Sequence, residues 1–111
     1  MDLKDQRAET ESVFREIMTK GDVPASASVD FQFVPEADDA DWDALTDAAE
    51  AKGYEVSWYQ GDDEDDTWIE ITAPEGPVTF DAIWAHEESL TLMAAVHGFA
   101  AEGWGLYVSE A

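Results

Sequence analysis

Apolar residues recur along this chain with two different periods, and each change of period marks an element. Over residues 3 to 20, Thr10, Val13, Phe14, Ile17 and Met18 return at three- and four-residue spacing, while Glu9, Glu11, Arg15 and Glu16 fill the other side. That spacing predicts an amphipathic helix, with Gly21 as its C-terminal stop. Asp22 to Ser28, with Pro24 and several small residues, reads as a connector. The period then drops to two. Val29, Phe31 and Phe33 alternate with Asp30 and Gln32, as in a strand with one buried face, and Pro35 ends it.

A second helix follows, with Trp42, Leu45 and Ala49 as its buried stripe, Asp39 or Asp41 as its cap and Gly53 closing it. Tyr54, Val56 and Trp58 alternate with Glu55, Ser57 and Tyr59, which predicts a second strand. Gly61 to Asp66 is a turn, and Thr67 to Ala73 is a third strand with Ile69 and Ile71 on one face, so the two strands form a hairpin. Pro74 to Pro77 reads as a loop. A third helix is expected from about Thr79 to Phe99, with Ile83, Leu90, Ala94 and His97 along one stripe. Gly103 breaks the chain, and Trp104, Leu106 and Val108 form a last short strand.

After the first helix the order is therefore β-α-β-β-α-β. Two crossovers and a central hairpin predict an α+β, ferredoxin-like sandwich: four antiparallel strands with the second and third helices on one face. The chain reads as a single domain over 1–111, an N-terminal helix over 1–21 and a ferredoxin-like core over 28–109. If Ile69 and Ile71 face the helices, then Trp68, Glu70 and Thr72 face away, and by the same alternation so do Tyr59 and Tyr107. This second face has three possible coverings: the N-terminal helix, which must bury Phe14 and Ile17, a second copy of the chain, or another partner.

Covering by the N-terminal helix or a second copy is the favoured expectation, and charge narrows what another partner could be. Asp and Glu total 27, Lys and Arg total 5, and the formal net charge is −22. Four of the five basic residues (Lys4, Arg7, Arg15, Lys20) lie in the first twenty positions, and none follows Lys52. Exposed aromatics on a four-stranded sheet are how RNA-recognition modules stack bases, but that mode needs accompanying positive charge. Nucleic-acid affinity comes largely from Lys and Arg displacing counterions, so direct binding to nucleic acid or to an anionic membrane is disfavoured. A basic protein partner is favoured, charge steering the encounter more than setting the final affinity. Solubility, or adaptation to a salty cytoplasm, is the rival explanation of the acidity. With 45% hydrophobic and 12% aromatic residues, the chain has ample apolar surface to fold.

Few residues suggest chemistry. There is no cysteine, hence neither a disulfide framework nor a thiolate site. The N-terminal residues lack an apolar signal region and no apolar run reaches membrane-spanning length, so a cytoplasmic location is expected. His86-Glu87 begins like a zinc-binding His-Glu-x-x-His helix, but Leu90 stands where the second histidine is required. His86 and His97 are eleven residues apart, too far along a helix to share a metal. His97 reads as a packed or capping residue. The acidic run Asp62, Asp63, Glu64, Asp65 and Asp66 starts like a calcium loop, yet Thr67 stands where such a loop needs its turning glycine. It reads instead as a solvated hairpin tip that also blocks edge pairing. No nucleophile elbow or glycine-rich phosphate loop is present. No catalytic residue, metal or cofactor is assigned. The candidate binding residues are Asp62 to Asp66, with Tyr59, Trp68 and Tyr107 as aromatic anchors.

The C-terminal third carries a resemblance. Leu92-Met93-Ala94-Ala95-Val96-His97-Gly98 followed by Glu102-Gly103-Trp104-Gly105-Leu106-Tyr107 resembles the end of the regulator of ribonuclease E activity B (RraB) family, and Lys52-Gly53-Tyr54-Glu55-Val56 is similar to its helix-to-strand junction. The resemblance runs from about Leu3 to Val108. It implies a non-enzymatic protein that binds ribonuclease E, at a region with Arg-rich parts, and inhibits it. Gly53, Tyr54, Gly103, Trp104 and Gly105 are then family-motif positions of structural kind. Gly103 would permit a positive-φ turn out of the third helix, Trp104 would bury its ring beneath the helices, and Gly105 would admit a neighbouring backbone. Two other readings remain at this point: a small-ligand or metal-binding ferredoxin-like domain, and a salt-adapted acidic domain without a partner.

Overall fold

A computed structural model describes residues 3–21, 23–36, 39–62 and 67–107, with the Tyr107 side chain excepted. Seven elements follow one another: α1 (Leu3–Lys20), β1 (Ser26–Pro35), α2 (Trp42–Ala51), β2 (Glu55–Gln60), β3 (Thr67–Pro77), α3 (Phe80–Val96) and β4 (Phe99–Tyr107). The four strands form one antiparallel sheet in the order β2-β3-β1-β4. This is the expected α+β, ferredoxin-like arrangement, in which each helix-bearing crossover passes over the strand inserted between its ends.

The core lies between the sheet and the helices. Phe31 and Phe33 of β1, Ile69 and Ile71 of β3, Leu45 of α2, Ile83 and Leu90 of α3 and Phe99 of β4 are all buried. Opposite residues of an antiparallel pair share a face. The register Phe31↔Ile71, Val56↔Ile71 and Phe31↔Trp104 therefore carries the helix-facing row across all four strands. Asp41 is the N-cap of α2 and accepts the Ala44 amide, and Thr79 caps α3 by accepting the Ala82 amide. The two helices are tied end to start: the Asp41 amide donates to the His97 carbonyl at 2.9 Å, and the Glu36 amide to the Gly98 carbonyl at 2.9 Å. His97 is the C-cap of α3, as its position in the sequence suggested.

Several boundaries differ from expectation. β1 begins at Ser26, inside the expected connector, and the expected Pro74–Pro77 loop is the end of β3, paired through Ser26↔Pro77 and Ala27↔Gly76. The prolines are tolerated there because β2 stops opposite Thr72, leaving that flank of β3 an open edge. α3 ends at Val96 rather than Phe99. The chain leaves it at Gly98, whose φ of +88° only glycine adopts readily, and not at Gly103. Gly103 lies inside β4 beside a bulge: Gln32 pairs with Gly103 and Phe33 with Ala101, which leaves Glu102 as the extra residue. Val108, expected in the last strand, lies outside the described residues.

The largest difference concerns α1. It does not cover the second face of the sheet. It lies on the same side as α2 and α3, against α3, with Phe14 and Phe80 at 6.3 Å between ring centroids and the Arg7 guanidinium over the Phe80 ring at 5.2 Å. Contact on one flank alone leaves much of its apolar stripe uncovered, and Val13 and Met18 remain 36% and 49% exposed. Among the described residues no helix is long and apolar enough to cross a membrane.

Candidate functional site

With all three helices on one side, no described element covers the opposite face of the sheet. β1 contributes Ser28, Asp30 and Gln32 to it, β2 contributes Glu55, Ser57 and Tyr59, and β3 contributes Trp68, Glu70 and Thr72. On β4 the positions opposite Gln32 and Asp30 are Gly103 and Gly105. A Cβ built at either would meet nothing within 4 Å. The glycines expose backbone, and Gly105 does not admit a neighbouring strand as its motif position suggested. Trp104, between them, is half-buried on the helix side against the core, in keeping with its expected place beneath the helices.

Two of the three expected aromatic anchors meet on this face. Tyr59 and Trp68 are directly opposite across the β2–β3 ladder and stack, ring centroids 5.4 Å apart and planes 11° from parallel. Tyr59 is 42% exposed. Beside them runs a carboxylate-bearing row. Thr72 donates its hydroxyl to Asp30 at 2.7 Å, and Glu70 sits between its β2 partner Ser57 and its β1 partner Gln32. Partial burial pushes the Glu70 carboxyl above the ordinary carboxylate range, the Asp30 charge adds to the rise, and a hydrogen bond with Gln32 offsets part of it. No described residue of this row is cationic. Tyr107 pairs with Ser28 at the far end of the sheet. Asp62 is exposed at the start of the hairpin tip, and Asp63, Glu64, Asp65 and Asp66 lie outside the described residues.

At the free edge of β2 the aromatic surface turns the corner. Trp58, whose alternation puts it on the helix side, meets Trp42 edge-on at 5.5 Å and donates Nε1–H to the Thr46 hydroxyl at 2.8 Å. A groove of about 700 Å³ opens there, lined by Asp39, Asp41, Asp43, Trp58 and Tyr59 among others. Acidic and aromatic groups thus continue from the open face around the sheet edge to the start of α2.

The motif residues Gly53 and Tyr54 have structural duties. Gly53, at φ +94°, ends α2, and Tyr54 then reaches His86, its hydroxyl 2.7 Å from Nδ1. Burial holds the His86 imidazole below its ordinary value and the Tyr54 phenol above its own. No group of three or more metal-ligating side chains gathers among the described residues.

One constellation was not anticipated. Glu87 is only 5% exposed, and its two carboxylate oxygens accept from the Thr10 hydroxyl at 2.6 Å and from Gln6 Nε2 at 2.6 Å. Gln6 Nε2 also lies 2.9 Å from the Thr91 hydroxyl. Burial raises the Glu87 carboxyl above the ordinary range, the two donors pull it partly back, and Glu9 pushes it up again. The sequence held a signal for this. Glu87 falls four residues after Ile83 and three before Leu90, in the middle of the buried stripe, and Thr10 occupies the corresponding stripe of α1.

No curated protein sequence matches the chain. A family model does: regulator of ribonuclease activity B, aligned over residues 7–106, which takes in every element described above except the first turn of α1 and Tyr107. By fold, motif residues and this match, the chain belongs to the RraB family of regulators of ribonuclease activity.

Proposed function

We propose that this chain is a non-catalytic regulator that acts by binding a ribonuclease directly, through the bare sheet face and its β2 edge, and that ribonuclease E is the partner. The observation that carries the reading is the Tyr59–Trp68 stack beside Asp30 and Glu70 on a sheet face that no described helix covers. Stacked aromatics supply rigid area for an interface core, and an arginine guanidinium can lie on an indole face while a neighbouring carboxylate accepts its hydrogen bonds. The acidic tip from Asp62 to Asp66 and the acids at the start of α2 extend the field that draws a basic partner in. A second copy of this chain would bring like charges together on the same face, so a different, basic protein suits it better. The family's regulatory description agrees with this role.

The test is binding of the purified chain to full-length ribonuclease E at increasing salt. Affinity should fall with salt, Y59A/W68A should weaken it about tenfold or more, and charge reversal at Asp63 and Asp65 should slow association. Undetectable binding at low salt refutes direct regulation. Undiminished binding of Y59A/W68A moves the interface off this face.

A further inference from the structure

The buried Glu87 carboxylate is not sealed in. It lies on the wall of a cleft of about 440 Å³ between α1, α3 and β4, whose mouth reaches solvent. Phe31, Phe33 and Phe99 underlie this cleft but are themselves almost wholly buried, so its accessible apolar lining comes from the half-buried Trp104 and from Val13. Its remaining charged lining residues are Glu9, Glu36 and Glu102, and no Lys, Arg or His is among the lining residues. The donors that meet Glu87 there, Thr10 and Gln6, are neutral, and the charge that acts on it, that of Glu9, is negative. The cleft therefore joins an ionisable acid with no counter-cation among the described residues to a partly apolar wall at Val13 and Trp104, in a space of ligand size.

We propose that this cleft binds a small organic cation, an ammonium or guanidinium on a short apolar stem, with Glu87 as its counter-charge. The stem would lie against Val13 and the Trp104 ring, and the cationic head would take the acceptor capacity that Thr10 and Gln6 leave on the Glu87 oxygens. Glu9, Glu36 and Glu102 would raise the local concentration of cations at the mouth. Desolvation makes an ion pair of this kind selective: a neutral head of the same size leaves the carboxylate uncompensated, whereas a cationic one neutralises it. The site is on the helix side of the sheet, so it stands or falls independently of the protein-binding face proposed above.

The probes are n-butylammonium and agmatine, with n-pentanol, one heavy atom larger than n-butylammonium, as the neutral control, titrated into the full chain at near-physiological salt and followed by amide and indole NMR shifts. The cations should give saturable one-to-one binding, shifting the Gln6 side-chain amide and the Trp104 indole, while n-pentanol binds far more weakly. E87Q should weaken cation binding about tenfold or more, because a charged hydrogen-bond partner is removed. E88Q removes the same charge from an exposed position of α3 and should leave binding unchanged. A95L narrows the cleft from the α3 wall while keeping Glu87, and should abolish binding even if E87Q proves unstable. The proposal is overturned by equal binding of n-pentanol, by equal losses in E87Q and E88Q, by unimpaired binding to A95L, or by an absence of saturation.

Discussion

Thr10 is the only residue of α1 that is buried, and its hydroxyl does a single job: it donates to a carboxylate that is itself buried. T10V keeps the shape of that side chain and deletes the donor. A hydrogen bond to a charged group is worth about 1.5–3 kcal/mol and one between neutral groups about 1 kcal/mol, so the cost of T10V should depend on whether Glu87 is ionised. The direction of that dependence follows from the folded-state environment. Burial outweighs the two donors and raises the Glu87 carboxyl, so ionising it is harder in the folded state than in the unfolded chain. Its contribution to stability is then fully present below the unfolded-state value and is lost as pH rises through the folded one. Removing Thr10 takes away a group that favours ionisation and steepens that loss. The expected deficit of T10V is about 2 kcal/mol at pH 8, falling toward about 1 kcal/mol near pH 5. Urea titrations monitored by tryptophan fluorescence, at fixed ionic strength, measure it directly. T10S retains the hydroxyl and should recover most of the loss. A T10V deficit that does not change between pH 5 and 8, or a T10S variant as unstable as T10V, would refute the idea that this hydrogen bond to a titrating acid holds α1 against α3.

Three other outcomes follow from the same geometry. His86, the neighbour of Glu87 on α3, titrates in the opposite sense: burial lowers it from the ordinary 6.5, so its contribution is present above that value and is lost as pH falls below it. H86Q keeps an acceptor for Tyr54 and should flatten the stability profile between about pH 7 and 5; an unchanged profile counts against it. Gly98 and Gly53 both have positive φ, but a Cβ at Gly98 would lie 3.0 Å from the Ala40 Cα, whereas at Gly53 it meets nothing within 4 Å. G53A should therefore cost about 1 kcal/mol and G98A clearly more by denaturant titration, and equal costs would contradict the close approach. W58F removes the Nε1–H donor to Thr46 while keeping an aromatic ring against Trp42, and should cost about 1 kcal/mol at this partly exposed site; a neutral result would mean that the hydrogen bond is replaced by water.

Much of this arrangement was legible in the residue pattern, and what was not has physical causes. The alternation of Val29, Phe31 and Phe33, and of Ile69 and Ile71, told which side of each strand is buried and put Tyr59 and Trp68 on the other face, but not that they stand directly opposite one another. Breaker residues misled where an open edge or a bulge excuses them. Pro74 and Pro77 sit where β3 has lost its β2 neighbour, and Gly103 stays in β4 next to a bulge. The placement of α1 was not legible, because periodicity shows that a helix has an apolar side but not which surface receives it. Polar residues decide this case: Gln6 and Thr10 find their partner in Glu87 on α3. Glu87 reads first as half of an incomplete metal motif. Its position within the stripe of Ile83, Leu90 and Ala94 was the better guide, since an acid at a core position must be hydrogen-bonded.

The consequence for function is a molecule with two unlike sides. Helices close one, and on the other a stacked aromatic pair stands among carboxylates with no cation of its own. Inhibition of ribonuclease E cleavage of a structured RNA by the purified chain, compared with inhibition by Y59A/W68A and by an equally stable helix-side variant such as L92A, tests this most directly. The account predicts that the wild type and L92A inhibit alike while Y59A/W68A loses inhibition without losing its fold. Equal inhibition by all three, or none by the wild type, would contradict it.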